Sequence, residues 1–271
     1  MDESELLKER FKSAVSSAVK VISENFNLEV KFGRNLSSKK NSLNLPDVIN
    51  LKKLQDFTNL RAFADSEALK IKYTDNKIYL KNEPKGILAK ALYSIAEKIR
   101  YEKIGSDKLK GVKNNITQCY ESKFKDKKIE EIKIEADVPV TEAFELYLRN
   151  HFFKIKQNEA TRKTLSYWQD LFDKNLKKKF KELDDCLENQ SKFNHIVSEM
   201  INNLDFEDTN SKEEEKETQK NKSSSENDSG ESNQASKEEK NQENEYNFNI
   251  DDADINSMNE NDSLIQNEAK E

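Results

Sequence analysis

The chain has 271 residues and a net charge of −6, from 46 Lys and Arg against 52 Asp and Glu. Five Gly and three Pro exclude collagen and other Gly/Pro-rich fibres, and two Cys exclude a disulfide scaffold or a zinc ribbon. The charge divides sharply: residues 207–271 hold 20 acidic and 7 basic side chains, net −13, which leaves 32 acidic and 39 basic in 1–206, net +7.

Only 10 of the 65 residues in 207–271 are apolar, against 34% for the whole chain. So little apolar surface does not offset chain entropy, and a disordered, acidic, low-complexity tail is predicted there. Residues 1–206 are predicted to form a helical domain. The N-terminal MDESELLKERF has no apolar core of the kind a signal peptide needs. No run approaches the roughly 18 apolar residues of a membrane span. Cys119 and Cys186 read as reduced thiols, and the expected location is cytoplasmic.

Leu7, Phe11, Ala14, Ala18, Val21 and Ile22 recur at helical spacing and predict a helix over 4–24. Leu28, Val30 and Phe32 then alternate with charged residues as in a short strand ending at Gly33. Residues 34–44 read as loop, closed by Pro46. A second helix is predicted over about 49–73, from Leu51, Leu54, Phe57, Leu60, Ala64, Ala68 and Ile71. After the Asp75–Asn76 turn signal, Ile78 and Leu80 suggest a second strand, which with the first makes a candidate small β-hairpin.

Pro84 suits a helix start, and Leu88, Leu92, Ile95 and Ile99 form the next spine. Gly105 reads as its left-handed C-cap, turning the chain into a helix through Leu109, Val112, Ile116 and Tyr120. Residues 129–134 fit either a strand or a frayed helix. Further helices are predicted after Pro139, as one long pattern over 161–187, and over about 190–204. The fold class is mainly α.

Known chemistries find few supports. There is no GK[ST] and no G-x-G, so backbone amides have no glycine loop with which to cradle phosphate. His151 and His195 lack Cys or His partners at ligand spacing, so no metal or cofactor site is predicted. Cys119 lies on an apolar stripe and reads as buried. Cys186 follows Asp185, whose carboxylate disfavours a thiolate. Lys174, Lys177, Lys178, Lys179 and Lys181 form the densest basic patch. A solvated helix face explains it better than nucleic-acid binding, since the chain has 40 Lys but 6 Arg and no interleaved aromatic residues. The acidic tail is an alternative counterpart for this patch.

Two segments carry polar residues beyond what a plain helix demands. One is RAFADSEAL (61–69), in which Arg61 and Asp65 are spaced i,i+4 and can pair. The other is EKIRYEKIG (97–105), continuing to Gly111, Val112 and Asn115. Arg100 and Glu102 are spaced i,i+2 and require different partners. Ordinary surface charge is the plain reading of both. Gly111 between Leu109 and Val112 suits a close helix approach. Arg100, Glu102, Gly105, Gly111 and Asn115 read first as a structural corner and second as a partner contact.

These segments, followed by EADVPVTEAFELYLR, the Trp168 helix and NNLDFED, resemble the N-terminal region of the CobT subunit of aerobic cobaltochelatase. Arg61, Ala64, Asp65, Ser66, Ala68 and Leu69 match the family stretch R-x-x-A-D-S-x-A-L. Arg100, Glu102, Ile104, Gly105, Gly111, Val112 and Asn115 match R-x-E-x-I-G and the following G-V-x-x-N. A family His-Asp pair falls at Thr74-Asp75, where the His is absent. The resemblance covers nearly all of 1–206.

The resemblance implies a non-catalytic subunit of a three-component enzyme that inserts cobalt into hydrogenobyrinic acid a,c-diamide, in cobalamin biosynthesis. The implied partners are an AAA+ subunit and a large corrin-binding subunit. The complex would use ATP, Mg²⁺ and Co²⁺, with none of them held by this chain. The family's C-terminal von Willebrand A domain, with its D-x-S-x-S metal signature, is not recognisable here; Asp228-Ser229-Gly230-Glu231-Ser232 fails at the third position. A truncated or split form is therefore expected. Competing expectations are a stand-alone adaptor for an AAA+ motor and, less favoured, a nucleic-acid-binding protein.

Overall fold

A computed structural model describes residues 3–33, 41–48, 51, 53–125 and 129–204. The expected disordered tail, 207–271, lies outside the described residues.

Helix α1 (Glu3–Ile22) buries Val15, Val19 and Ile22, with Phe11 packed against the core. The buried stripe is rotated from the predicted one: Leu7 and Val21 are exposed. Helix α2 (Leu54–Tyr73) runs parallel to α1. Phe11 meets Phe57 edge-on at one end, with ring centroids 5.1 Å apart, and Lys72 bonds Glu24 at 2.7 Å at the other.

The predicted hairpin is corrected. Strand β1 (Glu29–Phe32) pairs with β2 (Ser42–Leu45), and the pair is parallel, with Glu29 opposite Ser42 and Phe32 opposite Leu45. Leu43 and Leu45 are buried while Ser42 and Asn44 are less so, the period-two pattern of a half-buried strand. Polar neighbours on both sides gave that four-residue signal a loop-like composition.

The segment around Ile78 and Leu80 is helix α3 (Asn76–Asn82), not a strand. The Asp75 carboxylate accepts from the backbone N–H groups of Lys77 and Ile78, capping the first turn. Tyr79, between the two apolar residues that suggested alternation, packs on Tyr93 with ring centroids 4.8 Å apart. Leu80 is exposed.

Helix α4 (Ile87–Lys108) packs against α2, α5 (Lys110–Lys125), α6 (Val140–Phe153) and α9 (Gln190–Asn202), so it is the axis of the body. Gly105 does not end it. The chain remains helical to Lys108 and breaks at Leu109, whose backbone is extended. Residues 129–131 form a 3₁₀ turn rather than a strand. The long pattern over 161–187 is likewise interrupted. Helix α7 (Glu159–Asn175) ends before the buried Leu176, a 3₁₀ turn spans Lys177–Lys179, and α8 (Phe180–Asp184) follows.

Candidate functional site

The sequence-predicted polar residues fall mostly inside the helical body, where a charge survives only if it is paired and hydrogen-bonded. They form three linked groups around α2 and α4.

The first group joins α2 to α5. Asp65 is fully buried, and its Oδ1 lies 2.8 Å from Arg61 Nη2 across one helical turn. Asn115 Nδ2 donates to the other carboxylate oxygen at 2.7 Å. Burial pushes the Asp65 carboxyl above its ordinary range, and Arg61 and Asn115 only partly pull it back.

The second group joins α2, α4 and α6. Ser66 Oγ donates to Glu102 Oε1 at 2.6 Å, and Arg149 Nη1 donates to Glu102 Oε2 at 2.8 Å. Arg149 Nε donates to Glu145 Oε1 at 2.8 Å, and Lys123 reaches the other Glu145 oxygen at 3.1 Å. The Arg149 guanidinium carbon also lies 3.2 Å from the centroid of the Tyr120 ring, a cation–π contact in a site with no solvent exposure. Burial pushes Glu145 upward, but Lys123, Arg149 and Lys98 outweigh it and hold the carboxyl well below the usual range.

The third group joins α4 to the ends of α2 and α8. Arg100 forks onto Glu97, with Nε to Oε2 at 2.8 Å and Nη2 to Oε1 at 2.7 Å. Its remaining donors bond the carbonyls of Leu187 and Tyr73 at 3.0 and 2.6 Å. Thr74 Oγ1 and Gln190 Nε2 also donate to Glu97 Oε1. Gln190 Oε1 accepts from the Asp75 backbone N–H at 2.8 Å. Thr74 and Asp75 thus border an open surface groove with Gln190 on its wall.

The structure brings Arg61, Asp65 and Asn115 together, and places Glu102 beside them through the adjacent Ser66. Arg100 belongs to the separate Glu97 group. Gly105 is not a left-handed corner: it lies inside α4 where Leu69 of α2 packs onto the backbone, and a Cβ there would fall under 3.0 Å from three Leu69 carbons. Gly111 makes no such close approach, with nothing within 4 Å of a Cβ built on it.

Glu97, Glu145, Arg149 and Gln190 were not singled out by sequence reasoning. One signal was available. The chain has 46 cationic residues but only six Arg, and Arg61, Arg100 and Arg149 are three of them. Where lysine is the default surface cation, arginine marks positions needing a rigid, multidentate donor.

Among the described residues, no group of three or more His, Cys, Asp or Glu is arranged to hold a metal ion. Burial pushes the Cys119 thiol up to about 12, so it stays protonated near neutrality. His151 bonds Asp184 at 3.0 Å and stacks on Phe180. Among the described residues no helix is long and apolar enough to cross a membrane.

No solved structure matches the chain. A family profile described as cobalamin biosynthesis protein CobT matches residues 6–271. The chain belongs to the CobT family of cobalamin biosynthesis proteins.

Proposed function

We propose that this chain is a non-catalytic subunit of a cobaltochelatase complex, supporting ATP-driven insertion of cobalt into hydrogenobyrinic acid a,c-diamide. Family membership supplies the pathway. The observation that carries the non-catalytic reading is the pairing of the motif charges. Asp65, Arg100 and Glu102 are each buried and bonded to side chains of this same chain. Groups committed in this way brace helices against one another; a catalytic acid or base must reach a substrate.

In this reading an AAA+ subunit hydrolyses Mg²⁺-bound ATP and a large subunit holds the corrin and the incoming Co²⁺. This chain binds none of these directly and works in the cytoplasm as the helical body that links the motor to the chelatase. The test is retention of both subunits by the full tagged chain, with and without ATP. Co-retention of both, strengthened by ATP, is expected. Retention of neither overturns the reading, and retention of a motor without the large subunit replaces it with a stand-alone adaptor.

A further inference from the structure

The basic patch around Lys177 adjoins a second hollow, of about 290 Å3, between the end of α6, α7 and the turn before α8. Its lining joins the rings of Tyr147, His151 and Phe180 to polar side chains, Lys154, Asp173 and Lys177 among them. The Phe180 ring stacks on His151 with centroids 4.1 Å apart, and the Tyr147 ring lies 5.4 Å from Phe180. The acids beside it are engaged: Asp184 with His151, and Asp173 with the Tyr147 hydroxyl at 2.6 Å and Lys177 at 3.6 Å. The lysines are in excess. Lys154, which lines the hollow, and Lys174, Lys178 and Lys181, each next in the chain to a lining residue, are exposed and, among the described residues, have no carboxylate partner. An aromatic recess with an uncompensated cationic rim favours an aromatic side chain flanked by carboxylates.

The chain carries one such segment. Within 207–271 the only aromatic residues are Tyr246 and Phe248. They lie in ENEYNFNIDDADI (243–255), which has five acidic and no basic residues. Tyr246, Phe248 and Ile250 alternate, so an extended backbone would present all three to one side. We infer that residues 243–255 dock on this hollow of the same molecule, with an aromatic ring in the recess and the flanking carboxylates on the lysine rim. About 40 residues separate Leu204 from Tyr246, which at roughly 3.3 Å per extended residue is ample to span the body. Tethering raises the local concentration to the millimolar range, so a weak contact suffices.

The test is zero-length carbodiimide cross-linking of the full chain at low salt, with linked peptides read from the monomer band. Expected are links from Lys154, Lys174, Lys178 or Lys181 to Glu243, Glu245, Asp251 or Asp252. These should exceed links to the exposed Lys110 and Lys113 of α5 by about threefold or more. The excess should fall at about 0.5 M salt, where surface charges are screened. It should also vanish in Tyr246→Ser/Phe248→Ser, which leaves every charge in place. Three results would overturn the inference. Even linkage across the lysines of the body reduces the contact to general charge attraction. An excess that survives the double substitution removes the aromatic recognition. Links confined to a dimer band assign the hollow to a second copy.

Discussion

Arg149 stands between two carboxylates, Glu102 on α4 and Glu145 on its own helix, and covers the Tyr120 ring. Removing one member of a buried pair leaves the other charge uncompensated, which typically costs about 3–5 kcal/mol. Arg149→Ala is therefore expected to be among the most destabilising single changes in the body. Arg149→Lys should recover only part of the loss, because an ammonium does not reproduce the fork. Urea unfolding followed by circular dichroism checks both; an Arg149→Ala midpoint equal to wild type would contradict the role assigned to this group.

The two shifted carboxyls also predict opposite responses to acid. Asp65 titrates above its ordinary value because it is buried, so the penalty of ionising it is absent at low pH and grows as pH rises past about 4. Glu145 titrates below its ordinary value, so its stabilisation is present above about pH 4.5 and is lost as pH falls below that. The stability gap between wild type and Asp65→Asn should narrow as pH rises from 3.5 to 7. The gap between wild type and Glu145→Gln should widen over the same range. Melting temperatures across that range decide it, and parallel pH profiles for the two variants would contradict the assignment. The sequence shows the Arg61–Asp65 spacing and so one ion pair. The Ser66–Glu102–Arg149 link crosses three helices and has no local signature in the text.

At the scale of elements, α2 and α4 pack through the Gly105–Leu69 contact, where a glycine lets a leucine seat against the helix backbone. Gly105→Ala places a methyl group inside the Leu69 side chain. The overpacking should cost about 1–3 kcal/mol, and Leu69→Ala in the same chain should relieve part of it. Gly111→Ala meets nothing within 4 Å in the first turn of α5. There, alanine's helix propensity should leave stability unchanged or raised by up to about 1 kcal/mol. Thermal unfolding of the two glycine variants separates them, and a Gly105→Ala protein as stable as wild type would remove the close packing from the account.

The long apolar stripes made most helices legible, as in α4, where Leu92, Ala96 and Ile99 are buried at 3–4 spacing. What the text concealed were short elements whose form depends on a neighbour. The α3 turn is set by the Asp75 cap and by Tyr79 against Tyr93, while Ile78 and Leu80 imitate a strand. β2 exists because Leu43 and Leu45 meet the core beside β1. Gly105 resembles a helix terminator on paper, since glycine serves both a left-handed cap and a close approach. Only the position of Leu69 decides between the two.

At the scale of the whole molecule, the helical body is braced by buried ion pairs that tie α2, α4, α5 and α6 and reach the turn before α9. A frame of this kind suits a subunit that holds partners in register while another component supplies the energy. The same organisation leaves surface features free for contacts, among them the Thr74–Gln190 groove and the lysine-rimmed hollow at Phe180. The measurement closest to the central claim is cobalt insertion in a reconstituted mixture of the AAA+ subunit, the large corrin-binding subunit and this chain, with Mg²⁺, ATP, Co²⁺ and hydrogenobyrinic acid a,c-diamide. The account predicts insertion only when all three proteins and ATP are present, and no ATP hydrolysis or insertion by this chain alone. Insertion at an undiminished rate when this chain is left out, or ATP turnover by the purified chain, would contradict it.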